Sequence, residues 1–500
     1  MHRSKRLLIL VGVLAVVCAA AFLATRVQEQ QEQVEASGET VLAIDAGNVA
    51  SLAWTSGEAE YAFHKDGTWL YDADEAFPVS AEALEELLAP FSSFNAAFVI
   101  RDVTDYAQYG LEEPECTIEI GTAEASYAIA LGDMSAMDDQ RYVSIGDGNV
   151  YLAVTDPMDA FAVELSDLID NDEIPQMDTV TALSLTGAVE ESIAYVEAGG
   201  PSYSDEDVYF LQSGEESLPL DTDLVEDYLG GIRDLVLTDY ATYNATEIEL
   251  ASFGLNDPAL TVTVEYEQQA EAAEEGAEPE TTAGTLALHI GRVEAAEESA
   301  EETEESAEDI SQEEAQYAYY LRVGDSQIVY NLSDADGEAL FAGSYDDLRH
   351  RQLFWGDFDD VTQATILLDN QTYTLTAQTA ETADAAAAEE PAGSAEPTAA
   401  AEDDAEITWT CNGETVDVTG IRDKLAALTA EAFTEEAPAD QLEISLTLDL
   451  NDEDVPQVRI QLYRYDGASC LVVLDGEPAA LVAREDVVDL MEAVRTLLLG

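Results

Sequence analysis

The feature that most restricts what this chain can fold into is a long-range self-similarity that recurs three times. Val49-Ala50-Ser51-Leu52-Ala53-Trp54, Val180-Thr181-Ala182-Leu183-Ser184-Leu185 and Val361-Thr362-Gln363-Ala364-Thr365-Ile366 open alike, each reading as a strand with partial alternation of apolar and polar residues. An aromatic strand leading into a helix follows in each case. Trp69-Leu70-Tyr71 precedes Pro78-Val79-Ser80, Val208-Tyr209-Phe210 precedes Pro219-Leu220-Asp221, and Thr408-Trp409 precedes Val416-Asp417-Val418-Thr419. The helices show their buried faces in the spacing. Ser80 is placed to cap the first, with Leu84, Leu87, Leu88, Phe91 and Phe94 at helical intervals. Asp221 or Thr222 caps the second, ahead of Leu224, Val225, Tyr228, Leu229 and Ile232, and the third uses Ile421, Leu425 and Leu428.

The units also end alike. Tyr142-Val143-Ser144-Ile145-Gly146-Asp147, Tyr320-Leu321-Arg322-Val323-Gly324-Asp325 and Leu471-Val472-Val473-Leu474-Asp475-Gly476 each turn tightly into another apolar strand, with Gly and Asp where positive φ is tolerated. Acidic segments of helical character follow at 157–169, 334–343 and 484–499. Each unit therefore reads as β-hairpin, strand, helix, antiparallel meander and helix. A sheet with one apolar face needs that face covered, so the fold class is α+β, used three times.

Three stretches interrupt the pattern: 267–283, 293–315 and 377–406, all rich in Ala and Glu. With little apolar surface to offset ordering entropy, they read as solvated, disordered loop insertions. They hold 6, 11 and 9 acidic residues and no basic one, about a quarter of the 106 in the chain. Most of the formal net charge of -88 therefore belongs to the repeats themselves. That charge argues against a nucleic-acid binder, which needs clustered Lys and Arg. It argues equally against a polybasic membrane-surface binder.

The N-terminus is of another kind. Leu7 opens and Ala24 closes the uncharged run LLILVGVLAVVCAAAFLA, and 18 such residues span roughly 27 Å, close to a bilayer's hydrocarbon core. Arg3, Lys5 and Arg6 precede it, while every Asp and Glu lies beyond Arg26, so the positive-inside rule keeps the N-terminus cytoplasmic and exports the rest. An uncleaved anchor is the favoured reading. Cleavage near Ala19, Ala20 and Ala21 and lipidation at Cys18 are the alternatives. The organisation expected is a cytoplasmic tip and transmembrane helix over 1–26, a polar stalk over 27–40, and repeats over 41–172, 173–356 and 357–500.

Candidates for chemistry are sparse. His64, His289 and His350 are isolated, and no HExxH, GxSxG or SxxK pattern occurs. No cofactor is implied. Zinc ligation by the isolated histidines is disfavoured, and calcium is the more serious metal candidate, with Asp334 and Asp336 in Asn331-Leu332-Ser333-Asp334-Ala335-Asp336-Gly337 as its ligands. The spacing departs from an EF-hand loop, and a helix cap at Ser333 explains these residues equally well. Trp54, Trp69, Trp355 and Trp409 could line a carbohydrate-binding face, but three of them fall on strands, where core packing is the default. Cys116, Cys411 and Cys470 read as buried thiols, with a pairing of Cys411 and Cys470 left open.

Two short segments carry more than architecture. Tyr109-Gly110-Leu111-Glu112-Glu113-Pro114 leads into one strand, and Phe253-Gly254-Leu255-Asn256-Asp257-Pro258 into another. An aromatic-Gly-Leu-x-x-Pro element ahead of a strand, with the Gly-Asp hairpin downstream, resembles the domain-of-unknown-function 4340 family. The order of elements over about 41–347 looks like that family's repeat, whereas the third unit offers only Gln441-Leu442-Glu443. The resemblance implies a membrane-anchored bacterial envelope protein, accessory to an ABC-type export permease, and supplies no catalytic residues. On physical grounds the Gly and Pro of the element form a structural corner. The function expected is thus a non-enzymatic scaffold or accessory subunit with a protein partner, held in the cell membrane and facing outward. A binding module for divalent cations or wall polymers is the alternative, and a carboxylate-based hydrolase comes third.

Overall fold

The computed structural model describes residues 39–499 except 58, 102, 137–138, 198–199, 215, 270–280, 295–315, 380–406, 440 and 453–454. The apolar run at 7–24 and most of the expected stalk lie outside the described residues. Glu39 and Thr40, assigned to the stalk by sequence, belong instead to the strand Glu39–Leu42. Among the described residues no helix is long and apolar enough to cross a membrane.

Three antiparallel sheets of nine strands each account for the described strands. The second sheet shows the plan. A four-strand meander, Thr179–Gly187, Glu191–Tyr195, Tyr209–Ser213 and Glu216–Pro219, runs out to one edge. A helix, Thr222–Arg233, then crosses, and Tyr240–Thr242 lies down at the opposite edge. A second meander, Leu260–Gln269, Thr281–Glu294, Tyr317–Val323 and Val329–Leu332, fills the space between. The third sheet repeats this order from Val361–Leu368 to Glu477–Ala483, with Ala432–Phe433 as its return strand. The first has one strand fewer in its opening meander, and Glu39–Leu42 supplies its ninth by pairing with Phe94–Ile100. The unit is therefore longer than the sequence suggested, because the return strand after the helix was not recognised. Phe94, placed on the helix by its spacing, opens that strand. The helix Ala81–Ser92 stops at Ser93, whose φ of -155° has left the helical region.

The threefold likeness extends to a defect. In every sheet the first strand meets the second meander with a register shift just after its leading valine, between Val49 and Ser51, Val180 and Ala182, and Val361 and Gln363. Each is a β-bulge that increases local twist. The leading valines are buried in all three copies.

The helices close one face of each sheet. Ser80 accepts from the Ala83 N–H and Asp221 from those of Asp223 and Leu224, so both expected caps form. Leu84, Leu87, Leu88 and Phe91 are buried, as are Val225, Leu229 and Ile232. Burial of each such side chain contributes about 1.5–3 kcal/mol. In the third sheet Ile421, Leu425, Val487 and Leu490 share one core with Ile366, Leu446 and Ile460. Trp54, Trp69 and Trp409 are core residues. Cys116, Cys411 and Cys470 are free and buried, and burial pushes the Cys116 and Cys470 thiols up to about 11.

All three expected insertions are shorter than their composition indicated, and Val293 and Glu294, which open the one at 293–315, pair with Ala318 and Tyr317. Glu267, Gln268 and Gln269 pair with Ala283, Thr282 and Thr281, extending a hairpin into the acidic stretch. Ala377 and Gln378 likewise pair with Trp409 and Thr408. Backbone hydrogen bonding to a neighbouring strand overrides local composition there. The rest of each insertion lies outside the described residues.

By packing, the chain divides into two compact units. One runs to Asp172 and includes Thr242–Asn244; the other comprises the remainder from Glu173 and holds the second and third sheets.

Candidate functional site

Tyr109, Gly110, Leu111 and Pro114 form a corner that Phe253, Gly254, Leu255 and Pro258 repeat. A short helical turn, Ala107–Tyr109, ends at Gly110 with φ +69°. The helix Glu247–Ser252, held by a capping box between Thr246 and Glu249, ends at Phe253, and Gly254 follows with φ +71°. That conformation is left-handed, where glycine alone sits without strain. The chain then reverses. The Leu111 N–H returns to the Tyr106 carbonyl (3.1 Å) and the Leu255 N–H to that of Leu250 (2.8 Å), which buries both leucines. Each aromatic ring packs on the tyrosine of its unit's terminal hairpin, Tyr109 on Tyr142 at 4.9 Å and Phe253 on Tyr320 at 4.6 Å. Behind each lies a strand glycine, because a Cβ at Gly132 or Gly291 would collide with the carbonyl oxygen of Tyr109 or Phe253. The corner is a packing device that locks the segment before the second meander onto its end. The third unit lacks it, and its strand Leu442–Leu450 instead starts with a register shift at Glu443.

The strongest concentration of polar chemistry lies elsewhere, at residues that the sequence left as isolated. Asp207 is buried, as is Ser202 five residues earlier. The Ser202 hydroxyl and the Trp355 indole N–H (2.8 Å) both donate to one Asp207 oxygen, and His350 Nε2 lies 2.9 Å from the other. The His350 ring stacks on Trp355 at 4.3 Å with 10° between planes. Its Nδ1 sits 3.4 Å from an oxygen of Asp221, the residue that caps Thr222–Arg233. Tyr203 packs on Trp355 at 4.3 Å, and its hydroxyl donates to Asp475 at 2.5 Å. No sequence periodicity marks this set. Its one signal is that His350 and Trp355 share a short segment, 349–357, outside the repeated pattern.

Serine, histidine and aspartate in contact invite comparison with a nucleophilic triad, and the connectivity excludes one. A triad needs serine on one imidazole nitrogen and the carboxylate on the other. Here the serine bonds the carboxylate directly, and each ring nitrogen of His350 faces a carboxylate, so neither is open to take a proton from Ser202. A surface depression of about 530 Å³ beside His350 is lined by Asp221, Asp223, Asp347 and Arg351 among others. Among the described residues no group of three or more His, Cys, Asp or Glu side chains is arranged to hold a metal ion. What the arrangement does chemically is hold a buried carboxylate with neutral and ring donors.

The remaining sequence candidates occupy structural positions. Asp334 and Asp336 lie in the first turn of Asp334–Phe341, where Ser333 Oγ accepts from the Asp336 N–H (3.1 Å) and donates to its carboxylate (2.6 Å). His64 contacts Asp72 at 2.6 Å on the surface, and His289 contacts Thr261 across neighbouring strands at 3.2 Å.

Residues 69–247 fit the family model described as Domain of unknown function (DUF4340). The matched span starts inside the strand Thr68–Tyr71 of the first sheet and stops at Glu247. It thus contains the corner at Tyr109 and ends before the one at Phe253, a narrower reach than the sequence resemblance suggested. No curated protein and no solved structure matches the chain.

Proposed function

Because residues 69–247 fit the model of the DUF4340 family, we propose that the chain is a membrane-anchored, extracytoplasmic and non-enzymatic protein, a scaffold or accessory subunit of an envelope complex such as an ABC-type export system. The observation that carries this reading is the build of the described chain. Three nine-stranded sheets built from two meanders and a return strand, each with a helix-covered face, provide broad surfaces, while the most elaborate polar cluster spends its donors internally. The charge-free run at 7–24 behind Arg3, Lys5 and Arg6 supports the anchor and its orientation. The test is made in membranes carrying the full chain beside its neighbouring transport proteins. Externally added protease is expected to remove the repeats while leaving the N-terminal tip, and a permease is expected to co-purify in fixed ratio. Repeats protected on the cytoplasmic side would overturn the topology, and an ectodomain that hydrolyses wall polymer would overturn the non-enzymatic reading.

The second reading, a binding module for divalent cations or wall polymers, is favoured by the net charge of -88. Calorimetry with calcium and with wall fragments separates the two. Heat beyond a sodium control matched for ionic strength supports binding, and its absence removes that reading.

A further inference from the structure

The second and third sheets belong to one compact unit, yet they are separate nine-stranded sheets, and the third has a core cluster of its own. What joins them converges on the loop that carries Ser202, Tyr203 and Asp207. We propose that this loop and the connecting segment 349–357 form a latch, with the buried Asp207 carboxylate as its centre, that makes the two sheets one rigid body. The inference rests on geometry inside this unit and stands independently of the membrane and partner reading.

The latch has a side on each sheet. Toward the second sheet, Asp207 precedes the strand Tyr209–Ser213, and His350 Nδ1 faces the Asp221 cap of that sheet's helix at 3.4 Å. Toward the third, Tyr203 packs against the core around Phe354 and sends its hydroxyl to Asp475, in the hairpin between Ser469–Leu474 and Glu477–Ala483. The connecting segment is fixed to the third sheet as well. Ala430 N–H donates to the Arg351 carbonyl (2.7 Å), Leu353 N–H donates to that of Leu428 (3.1 Å), and the Arg349 guanidinium lies 3.5 Å from the centre of the Phe433 ring.

Energetics place Asp207 at the centre. A buried carboxylate is tolerated only when its oxygens are satisfied, and removing donors from one leaves a desolvated charge without compensation. Its donors come from the loop itself, Ser202, and from the connecting segment, His350 and Trp355. The carboxylate therefore cannot be satisfied unless loop and segment are together, and Tyr203 extends that condition to the third sheet. Removing the centre frees the connecting segment without removing any strand.

Trypsin reads this directly, since Arg349 and Arg351 lie in the segment and cleavage there requires it to open. In the full chain, Asp207→Asn and Trp355→Phe are each expected to raise the cleavage rate after these arginines by about tenfold, the factor carried by a lost hydrogen bond to a charged group. Amide exchange in Leu260–Gln269 and Leu442–Leu450 is expected to remain as slow as in the wild type. Tyr203→Phe, which deletes only the bond to Asp475, should give a smaller acceleration. Unchanged cleavage in all three variants would overturn the latch. So would accelerated cleavage accompanied by loss of amide protection in either central strand, because the cluster would then support a single sheet rather than join two.

Discussion

At the residue scale, the tightest constraints fall on two glycines with no repeated motif of their own. Gly132 and Gly291 back the two corners, where an added methyl would meet a main-chain oxygen that cannot swing aside. Gly132→Ala and Gly291→Ala should each destabilise by about 1–3 kcal/mol, as overpacking does. Gly230→Ala, in a helix with open space around it, should instead stabilise by up to about 1 kcal/mol. Urea denaturation of the three variants against wild type checks the contrast. Tyrosine plays a second part at this scale. With only 18 Lys and Arg for 106 acids, phenols act as carboxylate partners: Tyr209 donates to Glu226 (2.5 Å), Tyr243 to Asp74 (2.7 Å) and Tyr465 to Glu436 (2.9 Å). Burial, and then the Glu226 carboxylate, push the Tyr209 hydroxyl well above the ordinary 10. A group whose folded value is raised contributes stability that is fully present below its unfolded value and lost as pH rises toward the folded one. The protein should therefore lose stability above pH 10, and Tyr209→Phe should lessen that loss while costing about 1 kcal/mol at neutral pH. Unfolding free energies measured at pH 7 and at pH 10 and above decide it.

Elements were legible where a local chemical rule acts alone. Ser80 and Asp221 cap because short oxygen-bearing side chains satisfy orphan N–H groups, and that preference is written in the residue itself. Ser80→Ala should accordingly cost about 1 kcal/mol, read as a lowered denaturation midpoint of the first unit. The hairpin ends were equally plain, since Gly146, Gly324 and Gly476 all take positive φ. Legibility ended where an element owes its form to distant partners. Phe94–Ile100 is a strand because Val150–Ala153 and Glu39–Leu42 flank it, while its own Phe94 continues the spacing of the helix before it. The bulges at the opening strands could not be seen either, because a bulge belongs to a pair of strands. The cluster on Asp207 was hidden for the same reason: the loop with Ser202 and Asp207 and the segment with His350 and Trp355 are far apart in sequence, and each residue alone has an ordinary explanation.

For the whole molecule, like-charge repulsion is the main force acting on stability besides packing. Arg141, Arg233, Lys424, Arg484 and Arg495 are each engaged by a carboxylate within the chain. Few cations therefore remain to offset the acids facing solvent. Repulsion of this kind is screened over about 8 Å at physiological ionic strength. The melting temperature should rise as sodium chloride goes from about 10 to 150 mM, over which the screening length shrinks from roughly 30 to 8 Å. A flat response would show that the spacing of these acids already suffices.

The meander, return strand and second meander common to the three sheets also bear on how the chain reaches its native state. The pair that joins the two meanders of each sheet, such as Val49–Ser56 with Cys116–Thr122, brings together segments far apart in sequence, and closing that distance must precede the gain from pairing. Each opening strand has three related candidates to pair with, since Cys116–Thr122, Leu260–Gln269 and Leu442–Leu450 each begin the second meander of their sheets. A chain diluted from denaturant meets all three at once and is exposed to swapped pairings. A chain emerging from its N-terminus meets them singly, because the first sheet's last strand, Val150–Ala153, appears before the second sheet's first, Thr179–Gly187. Direction of synthesis then does the sorting that sequence divergence among the copies would otherwise have to do.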